Sequence, residues 1–144
     1  MIPAVVRFTV YGQAQPKGSA RAFMPKGARF PVVTSDNPSL KGWERVVRDT
    51  LQTGMRRWSK EDLAALFEAP VRVVLDFHLP RPKSLPKRVT AHTRKPDLDK
   101  LARGTIDALS GVLFKDDAQV VEIRARKVHA EGSALVHIRV ERAW

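Results

Sequence analysis

Five aspartates, Asp97, Asp99, Asp107, Asp116 and Asp117, fall in one short segment of a 144-residue chain that carries fifteen acidic residues in all. Two carboxylates held ~4 Å apart repel by ~4 kcal/mol at an effective dielectric of about 20. A hard cation such as Mg²⁺ offsets that repulsion, because it takes oxygen ligands and keeps waters that can be activated toward a phosphodiester. Each aspartate also has a structural use. Asp97 can cap a helix, Asp99 can complement its dipole from the first turn, and Asp116-Asp117 can form a turn. Those uses weaken as an account of all of them jointly, since a return after Gly111 can bring Asp116 or Asp117 back beside the helix start. Asp107, late in the helix where the dipole disfavours it, calls for a cationic partner and reads as structural.

The cations are sorted just as sharply. Lys+Arg number 26 and Asp+Glu 15, a formal net charge of +11. No acidic residue precedes Asp36, while Arg7, Lys17, Arg21, Lys26 and Arg29 lie in that opening stretch. A second stretch, between Asp76 and Asp97, carries Arg81, Lys83, Lys87, Arg88, Arg94 and Lys95 without a carboxylate. Either loop alone can serve solubility; two together favour a phosphate backbone, whose displaced counterions reward basic proteins. Neither is interleaved with aromatic residues as a base-stacking platform would be, so backbone contact is the expected mode. The chain has no Cys, which excludes disulfides, thiolate metal sites and cysteine nucleophiles. His78, His92, His129 and His137 lack metal-ligand spacing, although His92 lies in the second basic loop. No apolar run is long enough to span a membrane, and a cytoplasmic location is expected.

These residues need elements to hold them. Alternation predicts strands over Ala4–Gly12, Val71–Leu79, around Val121–Ala125 and around Val136–Val140, with Gly132-Ser133 turning between the last two as a C-terminal hairpin. Helical spacing of Leu40, Trp43, Val47 and Leu51 predicts a helix opened by Ser35-Asp36-Asn37-Pro38 and running to about Trp58. Ser59 with Asp62 suggests a capped short helix through Phe67. Another helix is expected from about Asp97 to Ser110, with Gly111 as its C-terminal cap. The segment from Gly12 to Arg29 reads as a long loop before a short apolar stretch at Phe30–Val33, and Arg81–Pro96 as a mobile or extended arm. The whole, residues 1–144, is expected to be one α+β domain: a mixed sheet with two main helices packed on it. Basic loops flanking a carboxylate cluster form a nuclease pattern, one part holding the polyanion and the other the metal.

Lys95-Pro96-Asp97-Leu98-Asp99-Lys100-Leu101, then Asp107-Ala108-Leu109, Gly111-Val112-Leu113 and Asp116-Asp117-Ala118-Gln119-Val120-Val121, resemble the RusA family of Holliday junction resolvases in residues and spacing. Pro16-Lys17-Gly18 with Arg21 is similar to that family's basic N-terminal loop, so the resemblance spans nearly the whole chain. It implies a homodimeric crossover junction endodeoxyribonuclease of DNA recombination and repair, common in prophages. Such an enzyme resolves four-way DNA by paired symmetric nicks that depend on Mg²⁺, with Mn²⁺ as a possible substitute. By motif position it implies Asp97, Asp99 and Asp117 as catalytic metal ligands, with Asp116 as their neighbour. Arg103 stands where the founding member has a catalytic Lys. Arg is a poor proton donor, so its expected role is electrostatic; its structural alternative is an ion pair with Asp99 or Asp107. The expected DNA-binding set is Lys17, Arg21, Arg81, Lys83, Lys87, Arg88, Arg94, Lys95 and Lys100, the last standing where the family usually has Asn. A noncatalytic basic DNA-binding protein, a decayed resolvase or an architectural binder, is the competing reading.

Overall fold

The computed structural model describes residues 4–18, 20–35 and 37–144, and side chains outside 20–23 and 32–36. In chain order the elements are β1 (Val5–Tyr11), β2 (Ala20–Phe23), β3 (Val32–Ser35), α1 (Leu40–Gly54), α2 (Lys60–Phe67), β4 (Val71–Leu79), α3 (Leu98–Leu109), β5 (Val120–His129) and β6 (Leu135–Arg142). A mixed four-stranded sheet has the order β1-β6-β4-β5, and β2 with β3 makes a separate two-stranded one. The α+β class with helices packed on a mixed sheet is the observed architecture.

Period-two burial decides the layers. In β4 every odd residue from Val71 to Leu79 is buried, so this strand takes the interior of the sheet. Val6, Phe8 and Val10 of β1 and Val136, Ile138 and Val140 of β6 join it in one hydrophobic cluster with Trp43, Val47 and Leu51 of α1 and Leu101, Ile106 and Leu109 of α3. Trp43 Nε1 donates to the buried Thr105 Oγ1 at 3.2 Å, tying α1 to α3. On the other face, Arg72 links Glu122 of β5 and Glu141 of β6 across the intervening strand, and Arg126 grips Asp76 at 3.0 and 2.8 Å.

β4 and β5 pair in parallel, so the chain must cross back between them, and α3 is that crossover. The two C-terminal strands form as expected and run antiparallel through the Gly132-Ser133 turn, but they are spread apart: β4 lies between β5 and β6 and pairs with both. The reason is burial. β4 has the fully apolar face, whereas Val121 and Ile123 of β5 remain half exposed, which suits an edge.

Two loop expectations change. The stretch read as a plain loop contains β2, a four-residue strand without apolar period that pairs with β3. The arm before α3 has no long helix or strand but is pinned. Arg81 Nη2 donates to the carbonyls of Pro86 (2.8 Å) and Val89 (2.9 Å), and Ala91 bridges to Val128. The first helix ends earlier than expected, at Gly54, and passes into a short 3-10 turn over Met55–Arg57. Ser59 caps α2 as expected, accepting from the Asp62 N–H at 3.0 Å.

Candidate active site

α3 buries Leu101, Ala102, Thr105, Ile106, Ala108 and Leu109, which turns Asp99, Arg103 and Asp107, spaced four apart, onto the outward side. Asp97 stands at the N-cap in extended conformation, yet its side chain makes no capping bond. The carboxylate instead accepts from Lys95 Nζ at 3.0 Å. That bond, with the charges of Lys95, Lys100 and Lys127, holds it below the usual carboxylate range. Asp99 and Arg103 are exposed. Neither has an ion pair or side-chain hydrogen bond among the described residues, so the salt bridge considered for Arg103 does not form.

At the other end of α3, Gly111 takes the left-handed conformation (φ +81°) expected of a C-terminal cap. The buried Leu113 and Phe114 anchor the return. Asp116 has the turn role available to it. Its carboxylate accepts from Ala118 N–H at 2.9 Å, and its own N–H donates to Gln119 Oε1 at 2.8 Å. The Ala118 bond lowers the pKa of Asp116; the neighbouring Asp116 carboxylate then raises that of the exposed Asp117, with Asp107 adding to the effect. Asp107 has the expected cationic partner, Lys17 Nζ at 2.5 Å.

The carboxylates therefore fall into two lots. Asp97 and Asp99 start the helix, and the return carries Asp117 close enough to Asp107 and Lys17 for their charges to act on it. From Asp99 to Asp107 the helix rises ~12 Å. Among the described residues, no three His, Asp or Glu groups come together as a ready metal site. The donors themselves suit a hard cation: carboxylate oxygens, those of the exposed Asp117 standing beside the Asp116 carboxylate, with no thiolate in the chain.

The first basic loop lies along α3 between the two lots. Lys17 N–H donates to the Lys100 carbonyl at 2.9 Å, and Asn37 Nδ2 donates to the Pro16 carbonyl at 2.8 Å. A Cβ on Gly104 would meet Gln15 O at 2.9 Å and Lys17 N at 3.3 Å, so only glycine admits the loop this closely. Pro16, Lys17, Gly18, Lys95, Asp97 and Lys100 line a cleft of about 240 Å³. Of the remaining basic candidates, Lys83, Lys87, Arg88 and Arg94 are exposed, with no ion pair or side-chain hydrogen bond among the described residues. Arg81 is engaged within the arm, and the Arg21 side chain lies outside the described residues. His92 stacks on His129, ring centroids 4.6 Å apart.

Sequence reasoning missed three positioning residues. Lys127 donates to the carbonyls of Arg94 (2.7 Å) and Pro96 (2.9 Å), fixing the chain just before Asp97. Asn37 and Gly104 seat the basic loop. A glycine inside a helical pattern was the available signal for Gly104; nothing local marks Lys127.

An uncharacterized protein of Bacillus subtilis (strain 168), YqaN, is 27% identical over 136 residues, covering 88% of this chain and 89% of its own length. The family model described as endodeoxyribonuclease RusA matches residues 13–141. That match takes in the first basic loop, the arm, α3 and both lots of aspartates, and by it the chain belongs to the RusA endodeoxyribonuclease family.

Proposed function

We propose that this protein is a Mg²⁺-dependent Holliday junction resolvase that acts as a homodimer and cuts four-way DNA by paired symmetric nicks. The observation that carries the reading is the state of the carboxylates. Asp97 caps nothing, Asp99 has no partner among the described residues, and Asp117 sits beside a second carboxylate. Among the described residues Asp97 pairs only with the exposed Lys95 two residues before it, and three such acidic groups on a protein of net charge +11 are what a cation at a phosphodiester would use.

Asp97, Asp99 and Asp117 would hold the cation. When bound, it supplies an activated water and charge stabilisation at phosphorus. Asp99 and Asp107 lie ~12 Å apart along α3, and the reading is that two copies of the chain complete the set between them. Arg103, exposed on the Asp99 side, stabilises charge developing on the phosphate oxygens. Lys83, Lys87, Arg88 and Arg94 hold the backbone of the junction arms.

The test is a four-way junction incubated with protein, with and without Mg²⁺, with cuts mapped at nucleotide resolution. Symmetric Mg²⁺-dependent nicks are expected; no nicking across varied junction sequences refutes the reading. Asp97→Asn should abolish cleavage while junction binding stays intact or tightens, because a negative charge near the phosphate is removed. Unaltered cleavage in that variant rejects the metal assignment.

A further inference from the structure

Lys17 occupies a position that ordinary backbone binding does not explain. A loop lysine that grips DNA needs only to be exposed. This one is seated from four directions: its own N–H on the Lys100 carbonyl, the preceding Pro16 carbonyl on Asn37, its Nζ on Asp107, and the approach of the loop over Gly104. Together these contacts bring one ammonium group among the carboxylates at the Asp117 end of α3. Asp107 lies on the outward side of the helix, and the core is complete without it.

We propose that Lys17 is a catalytic residue, the cation that faces the reacting phosphate, and that Asp107 and Gly104 are its positioning residues. The inference rests on the nuclease reading above and assigns Lys17 a task within it. Before DNA binds, the Lys17 ammonium partly neutralises the acidic lot. With a phosphate in the site, its charge lies against oxygens that become more negative as the attacking water bonds to phosphorus and the bond to the leaving strand breaks. Asp107 holds the long side chain in one place, and Gly104 sets the height of the loop over the helix. Arg103 provides a second charge from the exposed side of α3.

Two measurements test this. The first is the single-turnover nicking rate at saturating protein, with junction Kd measured in parallel. Lys17→Gln should lower the rate about 100-fold with little change in Kd, and Lys17→Arg should recover much of the deficit. Gly104→Ala, which leaves every charge in place, should also slow nicking by displacing the loop. Because the chain has no native Cys, Lys17→Cys can be alkylated with 2-bromoethylamine, which restores an ammonium at that length and should restore the rate. A Lys17→Gln variant that nicks at the wild-type rate once saturated, losing only affinity, overturns the proposal.

The second measurement is a calorimetric titration of the DNA-free protein with Mn²⁺ alone. Removing a positive charge from the acidic lot should tighten Mn²⁺ binding in Lys17→Gln by about tenfold, while Lys60→Gln, on α2, gives the wild-type value. Unaltered or weaker Mn²⁺ binding in Lys17→Gln overturns the placement of Lys17. Should the wild-type protein nick no junction, the nuclease reading fails by itself, and the Mn²⁺ titration still decides whether Lys17 belongs to the acidic site.

Discussion

The aspartates of this chain differ in what the surrounding atoms ask of them. Asp116 is committed to a turn, Asp107 to Lys17 and Asp76 to Arg126, whereas Asp97 is held by the exposed Lys95 and the exposed Asp117 stands beside the Asp116 carboxylate, neighbours that perturb the two in opposite senses. The histidines show the same division between chemistry and structure. Burial, the Lys127 charge and the stacked His129 ring lower the pKa of His92 from 6.5. The unfolded chain therefore takes up this proton more readily than the folded one, and stability falls as pH drops through and below the unfolded value. Denaturant midpoints measured between about pH 7.5 and about pH 5.5 should decline, and His92→Gln should make that decline shallower. The aspartates were legible in the sequence because their residue type and spacing are unusual. The division of labour among them was not, since it depends on Lys95, Lys17 and Ala118 arriving from different parts of the chain or in a particular local geometry.

At the scale of elements, α3 and the return after it act as one unit. The helix is the crossover that a parallel β4–β5 pair requires, and the return is anchored by Phe114, fully buried beneath it. Phe114→Ala should cost about 3–5 kcal/mol, read as a lower midpoint in urea denaturation. It should also impair nicking at temperatures where the protein is still folded, since the turn bearing Asp117 would lose its anchor. Helix and strand periodicity made α1, α3, β1 and β4 readable in advance, because one face of each is almost wholly apolar. β2 was not readable: four residues held by a partner strand leave no periodic mark. Nor was the insertion of β4 between β5 and β6. A short connection suggests direct pairing, whereas the burial of β4 on its apolar face draws that strand between its two later neighbours.

For the whole molecule, a net charge of +11 predicts binding that weakens steeply with salt. Replacing Lys83, Lys87 and Arg88 together by Gln should flatten the plot of log affinity against log salt by about 0.9 for each phosphate no longer neutralised, while leaving the carboxylates untouched. The separation of the two acidic lots along α3 yields a second test. Asp97→Asn and Asp117→Asn should each be inactive alone. Mixed and allowed to exchange subunits, they should regain junction nicking, because a mixed dimer with sites shared between copies contains one intact set. No recovery in mixtures shown to contain the mixed dimer would place all three carboxylates within a single chain.

The sequence by itself determined the two ingredients, a basic surface and an acidic island, together with the strongly periodic elements and the motif order, because these are properties of residue type and spacing. Tertiary structure decided which carboxylates have structural tasks, that Asp107 and Lys17 act on Asp117, and that Lys17 reaches Asp107 from a loop admitted by Gly104. The physical reason is range. Periodicity and capping act within a few residues, while charge neighbours and close backbone approach are set by where the sheet and its crossover helix carry distant segments of the chain.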